Sequence, residues 1–459
     1  MMFSFEATLF LLSATFLTAT SPNDNIAIAI PVVFALVMLL LWGSLSALKQ
    51  RRLLEDLPTS KTTGVFIGLV ELKGTAESEN PLRCFLAERP CVWYSWTVQE
   101  HWSRTIHETY RDANGKMQTR TRQESGWTTV ASGGDAAPFY LQDDCGVVRI
   151  NPAKAKIHAV SVFHKTVSKW DPIYYDKGPA CGVANSTGKR CFAEEAVSLH
   201  QPIYVVGQAR EREDCVAAEV GYDSKAPLFL ISTKTEESHR AWGLFLFWSL
   251  GILAVLLPTG LGIGLTADGN DPMSAIGIPA ALGGGTLAVW GIGWLWTVYN
   301  SLIGLKNRVK MATANVDVEI KRRFDLIPQL IRVLEGMKQH ERSLLESVVL
   351  LRNQGAMHPL EEQTVLTVKG CAKQLIELVE NYPELKTNEL FLTLQENLIA
   401  TEQRIALARN YYNDVIETHN NRRERFPENI IAVLAGMKPI PLLQIEDIER
   451  NNIEVQLVR

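Results

Sequence analysis

The chain contains 459 residues, of which 46% are hydrophobic and 21% are charged. This apolar content excludes an intrinsically disordered chain. A formal charge of −4 gives no electrostatic attraction to nucleic acid, so no nucleic-acid partner is expected. The mean hydropathy is zero, and this average combines very apolar segments with polar ones.

The N-terminal region contains two apolar segments of different length. Residues 1–25 hold a short apolar stretch without Lys or Arg, which predicts an interfacial or packing helix on the outer face. A short fourth span is the alternative. Residues 26–48 carry no charge over 23 positions, which is long enough to cross a bilayer core of about 30 Å. They are predicted to form the first transmembrane helix.

Two further uncharged segments, residues 241–265 and 273–299, predict a pair of transmembrane helices. The connecting loop, residues 266–272, holds two Asp and no Lys or Arg, whereas basic residues flank the opposite ends of all three spans. The positive-inside rule therefore predicts an inner-membrane protein of a bacterium, with an outer N-terminus and cytoplasmic soluble domains.

Small residues recur every four positions in the second and third spans, which lets helices approach closely. Packing within the helical hairpin is favoured over packing between subunits. The residues are Gly260, Gly264, Gly277, Ala281 and Gly285.

Residues 49–240 predict a mostly β (α+β) soluble domain, because short β-type runs alternate with Gly, Pro, Asn and Asp. Residues 154–200 are less regular and predict a loop-rich insertion with some helix. Trp93, Tyr94 and Trp96 are interpreted as core residues rather than as a platform for nucleobases.

Several patterns in this domain resemble chemical sites without matching them. Gly182–Arg190 has the wrong spacing for a phosphate-binding loop, and Arg190 stands where that motif needs Ser or Thr. Six Cys form no CxxC pair, and His101 and His107 lack the spacing of a helical metal site. No metal and no cofactor are expected. In the cytoplasm the six Cys are expected to be reduced, with three disulfides or a redox-sensing role as alternatives.

The runs GVFIGLVELKG, CVWYSWTVQEH, PFYLQDDCGVVRINP and PIYVVGQARER resemble the "beside a membrane" domain of GIDE-type mitochondrial E3 ubiquitin ligases. The resemblance implies a recognition or scaffold module. In that family a C-terminal RING carries the ligase chemistry. Here Cys371 is the only Cys after the third span, so ligase activity is not expected. The eukaryotic relatives place this domain in the intermembrane space, but the Lys and Arg asymmetry of this chain favours the cytoplasm.

Residues 300–440 predict an all-α four-helix bundle, followed by a tail at 441–459. Apolar residues at helical spacing directly after the third span, from Leu302 to Val316, predict that this span continues as one rod, which Pro328 interrupts or kinks. A coiled-coil-like seam runs from Leu390 to His419. Two more helical patterns lie at Leu330–Asn353 and Leu360–Glu380.

The runs YNSLIGLKNRVKMATANVDVEIKRRFDLIPQL, LQENLIATEQRIALARNYYNDVIETHN and RFPENIIA resemble the LemA family. The resemblance implies a membrane-anchored helical bundle without an established enzymatic activity. Ion pairs of Glu402 with Arg409 and of Arg322 with Asp325 are possible, and an exposed solvated face is equally favoured. The most characteristic residues are Lys321, Arg322, Arg323, Asp325, Pro328, Glu402, Arg404, Arg409, Tyr412 and Asn413.

The sequence shows no nucleophile with a base, no ligand set for a metal and no catalytic residue constellation. It therefore predicts a non-enzymatic multi-domain membrane protein, a scaffold that homo-oligomerises and organises the lipid bilayer or unidentified membrane or cytoplasmic protein partners. The alternative is an accessory component of a ubiquitin-ligase-like or membrane-protein quality-control system, acting through the GIDE-like domain.

Overall fold

The computed structural model of the chain describes residues 22–111, 117–212, 217–266, 272–337 and 389–443. It divides into two compact units, a β unit at Pro58–Thr235 and a helical unit formed by the chain on either side of it. The helices are α1 (Pro22–Glu55), α2 (Ile173–Asp176), α3 (Glu236–Thr266), α4 (Pro272–Met337), α5 (Glu389–Glu424) and α6 (Glu428–Leu434).

The strands all belong to the β unit, together with one short 3₁₀ turn at Thr62–Gly64. They are β1 (Thr59–Ser60), β2 (Gly68–Glu77), β3 (Leu82–Arg83), β4 (Pro90–Arg111), β5 (Met117–Ala136), β6 (Phe139–Gln142), β7 (Val147–Ile150), β8 (Lys156–His158), β9 (Val160–Ser168), β10 (Ser186–Ser198), β11 (Pro202–Glu211), β12 (Ala218–Gly221) and β13 (Leu230–Ser232).

Three helices, α1, α3 and α4, are long and apolar enough to cross a membrane, as the sequence predicts. They pack through a buried cluster that includes Phe247 and Trp290. The Trp290 indole donates to the Ser44 hydroxyl, which donates to the carbonyl oxygen of Phe247. Hydrogen bonds inside an apolar region satisfy polar groups that lipid cannot, so these bonds fix how the three helices meet.

The long helix α4 confirms the predicted rod. It runs without a break for 66 residues, about 100 Å at 1.5 Å per residue, so Pro328 does not end it. The apolar stripe predicted after the span is buried against α5 and α6. Its members are Leu302, Leu305, Val309, Ala312 and Val316.

The seam predicted on α5 is also buried, at Leu398, Thr401, Ile405, Ala408, Val415 and His419. The structure therefore shows two long helices, α4 and α5, packed along an apolar seam, with α6 beside them. Most of the two remaining helical patterns of the predicted four-helix bundle, and residues 1–21 of the predicted N-terminal helix, lie outside the described residues.

The β unit is mostly antiparallel, as predicted, and contains two sheets. In the larger sheet β2, β6, β7, β12 and β11 close into a ring, because β2 also pairs with β11. Leu72, Leu141, Ile150 and Val205 fill the ring and are fully buried. The smaller sheet places β4 between β10 on one side and β3 and β5 on the other.

The prediction of a loop-rich insertion over residues 154–200 is wrong. This segment contains β8, β9 and β10, and β10 is paired on both sides. Two charged residues of β10, Arg190 and Glu194, are buried. They interrupt the apolar alternation by which a strand is normally identified in a sequence.

Buried carboxylates hold the smaller sheet together. Glu194 accepts hydrogen bonds from the backbone N–H groups of Phe85, Leu86 and Ala87, at 2.7–3.0 Å. Glu100 accepts from the Arg190 guanidinium at 3.1 and 3.2 Å and from the Tyr174 hydroxyl at 3.0 Å. Burial opposes ionisation of Glu100, but hydrogen bonds from Ser186, Tyr174 and Arg190 bring its pKa below the usual range.

The segment that resembles a phosphate loop therefore has a structural role, because Arg190 is 1% exposed and neutralises Glu100. The five described cysteines form no disulfide with one another. Trp93 and Trp96 pack against the cores of the β unit, as interpreted from the sequence. His101 and His107 lie on β4, where their ring nitrogens meet the hydroxyls of Thr187 and Thr121.

The pair of Glu100 and Arg190 gives a stability prediction. Glu100→Gln leaves the Arg190 charge buried without a counter-charge, which should destabilise the β unit by about 3–5 kcal/mol. The double variant Glu100→Leu, Arg190→Met removes both charges and should be more stable than Glu100→Gln. Thermal unfolding of the full chain, followed by tryptophan fluorescence, measures both changes. A double variant no more stable than Glu100→Gln would contradict the pairing.

Candidate functional site at the helix junction

The candidate site lies where α1 ends beside α4, α5 and α6, and we call it the junction. It is formed by Arg51, Arg52, Glu55, Asp56, Ser301, Arg308, Arg422 and Glu428. These residues come from four separate parts of the sequence. The packing of α1, α4, α5 and α6 brings them together.

The Glu428 carboxylate is the centre of the junction. Its Oε1 accepts from Arg52 at 3.0 Å, and its Oε2 lies 2.7 Å from Nε of Arg422. All three residues are buried, with 6–7% of their surface exposed. The Glu428 carboxylate on α6 thus bridges two guanidinium groups, one from α1 and one from α5.

The remaining acids complete the network. Arg422 also lies 3.4 Å from Glu55 and 3.5 Å from Asp56. Asp56 accepts from the Ser301 hydroxyl at 2.6 Å, and its backbone carbonyl accepts from Arg308 of α4. Burial raises the pKa of the Asp56 carboxyl, while the charge of Arg422 and the bond from Ser301 oppose that rise.

Charges this deeply buried have a large desolvation cost and persist only when paired. Separating α1 from α5 and α6 would take Glu428 from Arg52, and Glu55 and Asp56 from Arg422. The junction therefore acts as a polar lock between the end of the first span and the soluble helices. Its acids are paired with guanidinium groups, and Asp56 also accepts a hydrogen bond from Ser301.

Two asparagine side chains of α5, which we call the asparagine clamps, hold the chain that follows α6. Asn413 exchanges two hydrogen bonds with the backbone of Leu443, at 3.0 and 3.1 Å. Asn420 does the same with Ile440, at 2.8 and 3.2 Å. Seven helical residues span about 10.5 Å and three extended residues about 10 Å. The spacing of Asn413 and Asn420 along α5 therefore matches the spacing of Leu443 and Ile440 in an extended segment that runs antiparallel to α5.

The residues singled out by the LemA resemblance are divided between this helix pair and solvent. Arg323 is buried, and its Nε lies 2.6 Å from a Glu402 carboxylate oxygen. Glu402 thus forms an interhelical ion pair with Arg323, a partner the sequence did not suggest. Half-buried Tyr412 has a pKa raised by burial and is bonded to Thr313. Lys321, Arg322 and Asp325 are exposed, and Arg404 and Arg409 are half-buried.

The small residues of the spans do not close the hairpin. A Cβ added at Gly260, Gly264, Gly277 or Gly285 would meet nothing within 4 Å, and Ala281 is exposed. The close helix contacts occur instead at three other glycines, Gly251, Gly262 and Gly283. The predicted small faces are therefore open in the described part of the chain.

Among the described residues, one group of side chains brings metal-ligand atoms within 4.8 Å of one another: Asp143, Asp144 and Cys145. Asp143 already accepts hydrogen bonds from Thr62, Cys145 and Gly146, and Asp144 pairs with Lys61. The group therefore stabilises a turn.

Sequence reasoning did not identify the junction. Arg52 was counted as part of the basic flank of the first span, and Glu428 lies in the run RFPENIIA without standing out. Arg52 and Glu428 are 376 positions apart, so no local pattern connects them. The one local signal is the pair of Arg51 and Glu55, four residues apart on α1 and 2.6 Å from each other.

Two family profiles match separate parts of the chain. The profile of the LemA family matches residues 312–457, and the GIDE profile, described as E3 ubiquitin ligase, matches residues 107–260. The predicted fusion of these two segments is confirmed. The LemA match includes Arg323, Glu402, the two clamping asparagines and the α5 and α6 residues of the junction.

Similar proteins are found among bacterial relatives. Protein LemA of Metamycoplasma hominis is 22% identical over 176 residues, which cover 37% of this chain and 80% of that protein. Magnetosome proteins MamQ 1 and MamQ 2 of Paramagnetospirillum magneticum are each 23% identical over 169 residues, or 30% of this chain. The chain spans 62% of the length of each MamQ protein. With its three apolar helices, the chain is a membrane-associated protein.

The junction predicts unequal effects for two neighbouring arginines. Arg422→Met should destabilise the helical unit by about 3–5 kcal/mol, because it leaves buried carboxylates without their shared counter-charge. Arg423→Met is the matched control, since Arg423 is half-buried and its one ion pair within the described residues is with the largely exposed Glu424. Its effect should stay within about 0.5 kcal/mol. Thermal loss of helical circular dichroism in detergent measures both, and equal effects would contradict the lock.

Proposed function

We propose that this chain, which joins a GIDE-type β segment to a LemA-type helical segment, is a non-enzymatic membrane scaffold. In this proposal it homo-oligomerises and organises the membrane or partner proteins. The observation that carries the proposal is the continuity of α4, which passes from the third span into the soluble helix pair as one helix of 66 residues. A span and a soluble helix that share one rod move together.

The junction supports a scaffold function, because it holds helices in fixed positions. It fixes the end of α1 to α5 and α6 by buried ion pairs, and breaking such pairs is costly because it leaves buried charges uncompensated. The two asparagine clamps add a fixed segment along α5. A rigid attachment of this kind suits a protein that presents a surface at a defined position above a membrane.

The open faces around Gly264 and Gly277 support association between copies. Small residues let transmembrane helices approach closely, and nothing in the described part of the chain lies within 4 Å of a Cβ added at these two positions. A second copy is the partner that offers the same small faces in the same membrane.

We also propose the bacterial inner membrane as the location, with both soluble parts in the cytoplasm. The support is the concentration of Lys and Arg at one end of each span and its absence from residues 266–272. The similar proteins of Metamycoplasma hominis and Paramagnetospirillum magneticum favour a bacterial membrane.

The GIDE match favours a second candidate, an accessory role in a ubiquitin-ligase-like or quality-control system. The matched segment would then recruit a catalytic partner, because the chain contains no catalytic constellation in its sequence. A ligase or protease that copurifies with the intact chain, and is lost when residues 58–235 are deleted, would support this candidate over the scaffold.

The scaffold proposal predicts a mass above that of a 51.2 kDa monomer in native nanodiscs. Gly264→Leu should reduce the mass and leave the melting temperature unchanged, because nothing lies within 4 Å of that position. Gly262→Leu is the comparison, since its added side chain would collide with Pro279, whose Cα is 2.8 Å from the Cβ position. It should lower the melting temperature. A wild-type chain that is monomeric at every concentration would contradict the scaffold.

Orientation has its own test, which uses the exposed Cys181. A variant that keeps only this cysteine is compared with a cysteine-free variant carrying Asp268→Cys, between α3 and α4. A membrane-impermeant maleimide added to intact cells should label the Asp268→Cys variant and leave Cys181 unlabelled until the cells are lysed. The reverse pattern would place the β unit outside.

A further inference from the structure

The β unit contains a hairpin that is longer than its sheet. Pairing between β4 and β10 ends at Trp102 and Ser186, whereas pairing between β4 and β5 continues to Arg111 and Met117. At about 3.3 Å per residue, residues 103–111 extend the ribbon by roughly 30 Å beyond its neighbour. Its residues from Thr119 to Gln123 are all exposed.

The outer edge of β5 is a template for pairing with another strand. In the described chain β5 pairs with β4 alone, so its other edge is without a strand partner there. Long exposed edges are normally protected by Lys, Pro or bulges. Residues 117–129 contain no Lys and no Pro, and the register shift of this hairpin lies beyond them, between Val98 and Gln99 of β4.

Over residues 103–109 and 119–125 the hairpin has one charged face and one uncharged face. Glu124 accepts two hydrogen bonds from Arg104 at 2.9 and 3.2 Å, and the next cross-strand pair on the same face is Arg122 with Ile106. Arg122 is exposed and has no ion pair among the residues that the structure describes. Over the same range the opposite face carries only hydroxyl, amide and imidazole groups, and Arg111 and Met117 follow on that face at the end of the pairing. The neutral polar residues are Ser103, Thr105, His107, Thr109, Thr119, Thr121, Gln123 and Ser125.

The charge pattern selects one way for two copies of β5 to pair. Two copies of β5 can pair antiparallel about a two-fold axis perpendicular to the ribbon. A residue that comes a given number of positions before the axis then lies opposite the partner residue that comes the same number of positions after it. An axis at Thr121 would place Arg122 against Arg120, and an axis at Arg122 would place that residue against itself. An axis at Gln123 places Arg122 opposite Glu124 twice, and Thr121 opposite Ser125 twice. Opposite charges across strands are favourable, and like charges are not.

We propose that a second copy of this chain pairs with β5 along its outer edge, antiparallel and in this register. The ladder hydrogen bonds of the free edge are then satisfied, and Glu124 is shared by Arg104 of its own chain and Arg122 of the second copy. This inference rests on the proposed self-association and names a surface for it outside the membrane helices.

Cross-linking of the full chain in nanodiscs tests the register, in a background where Cys145 and Cys181 are replaced by Ser. Gln123→Cys puts one thiol from each copy at the axis, so oxidation should give dimers. Thr105→Cys is the matched control, because Thr105 lies opposite Gln123 on β4, is exposed and faces the same side, but sits at the other edge. Its dimer yield should be lower by about tenfold.

Charge reversal tests the pairing chemistry in the Gln123→Cys background. Arg122→Glu places like charges opposite each other twice and should reduce cross-linking by about tenfold. The triple inversion Arg104→Glu, Arg122→Glu, Glu124→Arg restores both the internal and the intermolecular pairs, so it should restore the yield. All three positions are on the ribbon surface, and an unchanged melting temperature confirms that the variants fold.

Equal cross-linking by the Gln123→Cys and Thr105→Cys variants, or no effect of Arg122→Glu, overturns the inference. If the chain nevertheless has an oligomeric mass in nanodiscs, the scaffold proposal stands and the copies associate through another surface. A chain that is monomeric in nanodiscs overturns both.

Discussion

The helical unit depends on one constraint, the burial of ionised groups where the first span ends. Arg52, Arg422 and Glu428 are each at most 7% exposed, and none of them could remain there alone, because an isolated buried charge costs several kcal/mol. The position of α1 is therefore fixed by its ion pairs with residues of α5 and α6. Hydrophobic packing would allow these helices to slide or rotate at small cost, whereas a shared carboxylate fixes both the depth and the angle at which they meet.

The same principle governs the β unit on a smaller scale. Glu100, Arg190 and Glu194 lie inside the smaller sheet with all but about 1% of their surface covered, and each bonds to groups far away in the sequence. In both units, apolar residues supply most of the buried area. Charged residues select one arrangement among the many that apolar packing would tolerate.

This division explains what could be predicted from the sequence. Helices and spans follow from periodicity and length, so the stripe from Leu302 to Val316 and the three spans were identified from local pattern alone. The β10 strand was missed because buried Arg190 and Glu194 resemble exposed residues in a pattern of alternation. The junction was missed for a further reason. Its members are acceptable as surface residues one by one, and only the tertiary fold brings Arg52 to Glu428.

Whether a charged group already has a partner also distinguishes the junction, which holds the helices of one chain together, from the edge of β5, which is proposed to bind a second copy. Arg422 divides its guanidinium among Glu55, Asp56 and Glu428, so it has no capacity left for a partner. Arg122 carries the same group on an exposed strand and makes no ion pair within the described residues, next to a backbone edge that is also unpaired there. Buried networks of this kind stabilise a single chain. Within the described residues the edge of β5 instead leaves ladder hydrogen bonds and the charge of Arg122 without a partner, which is why the proposed pairing of two copies is assigned to the ribbon and not to the junction.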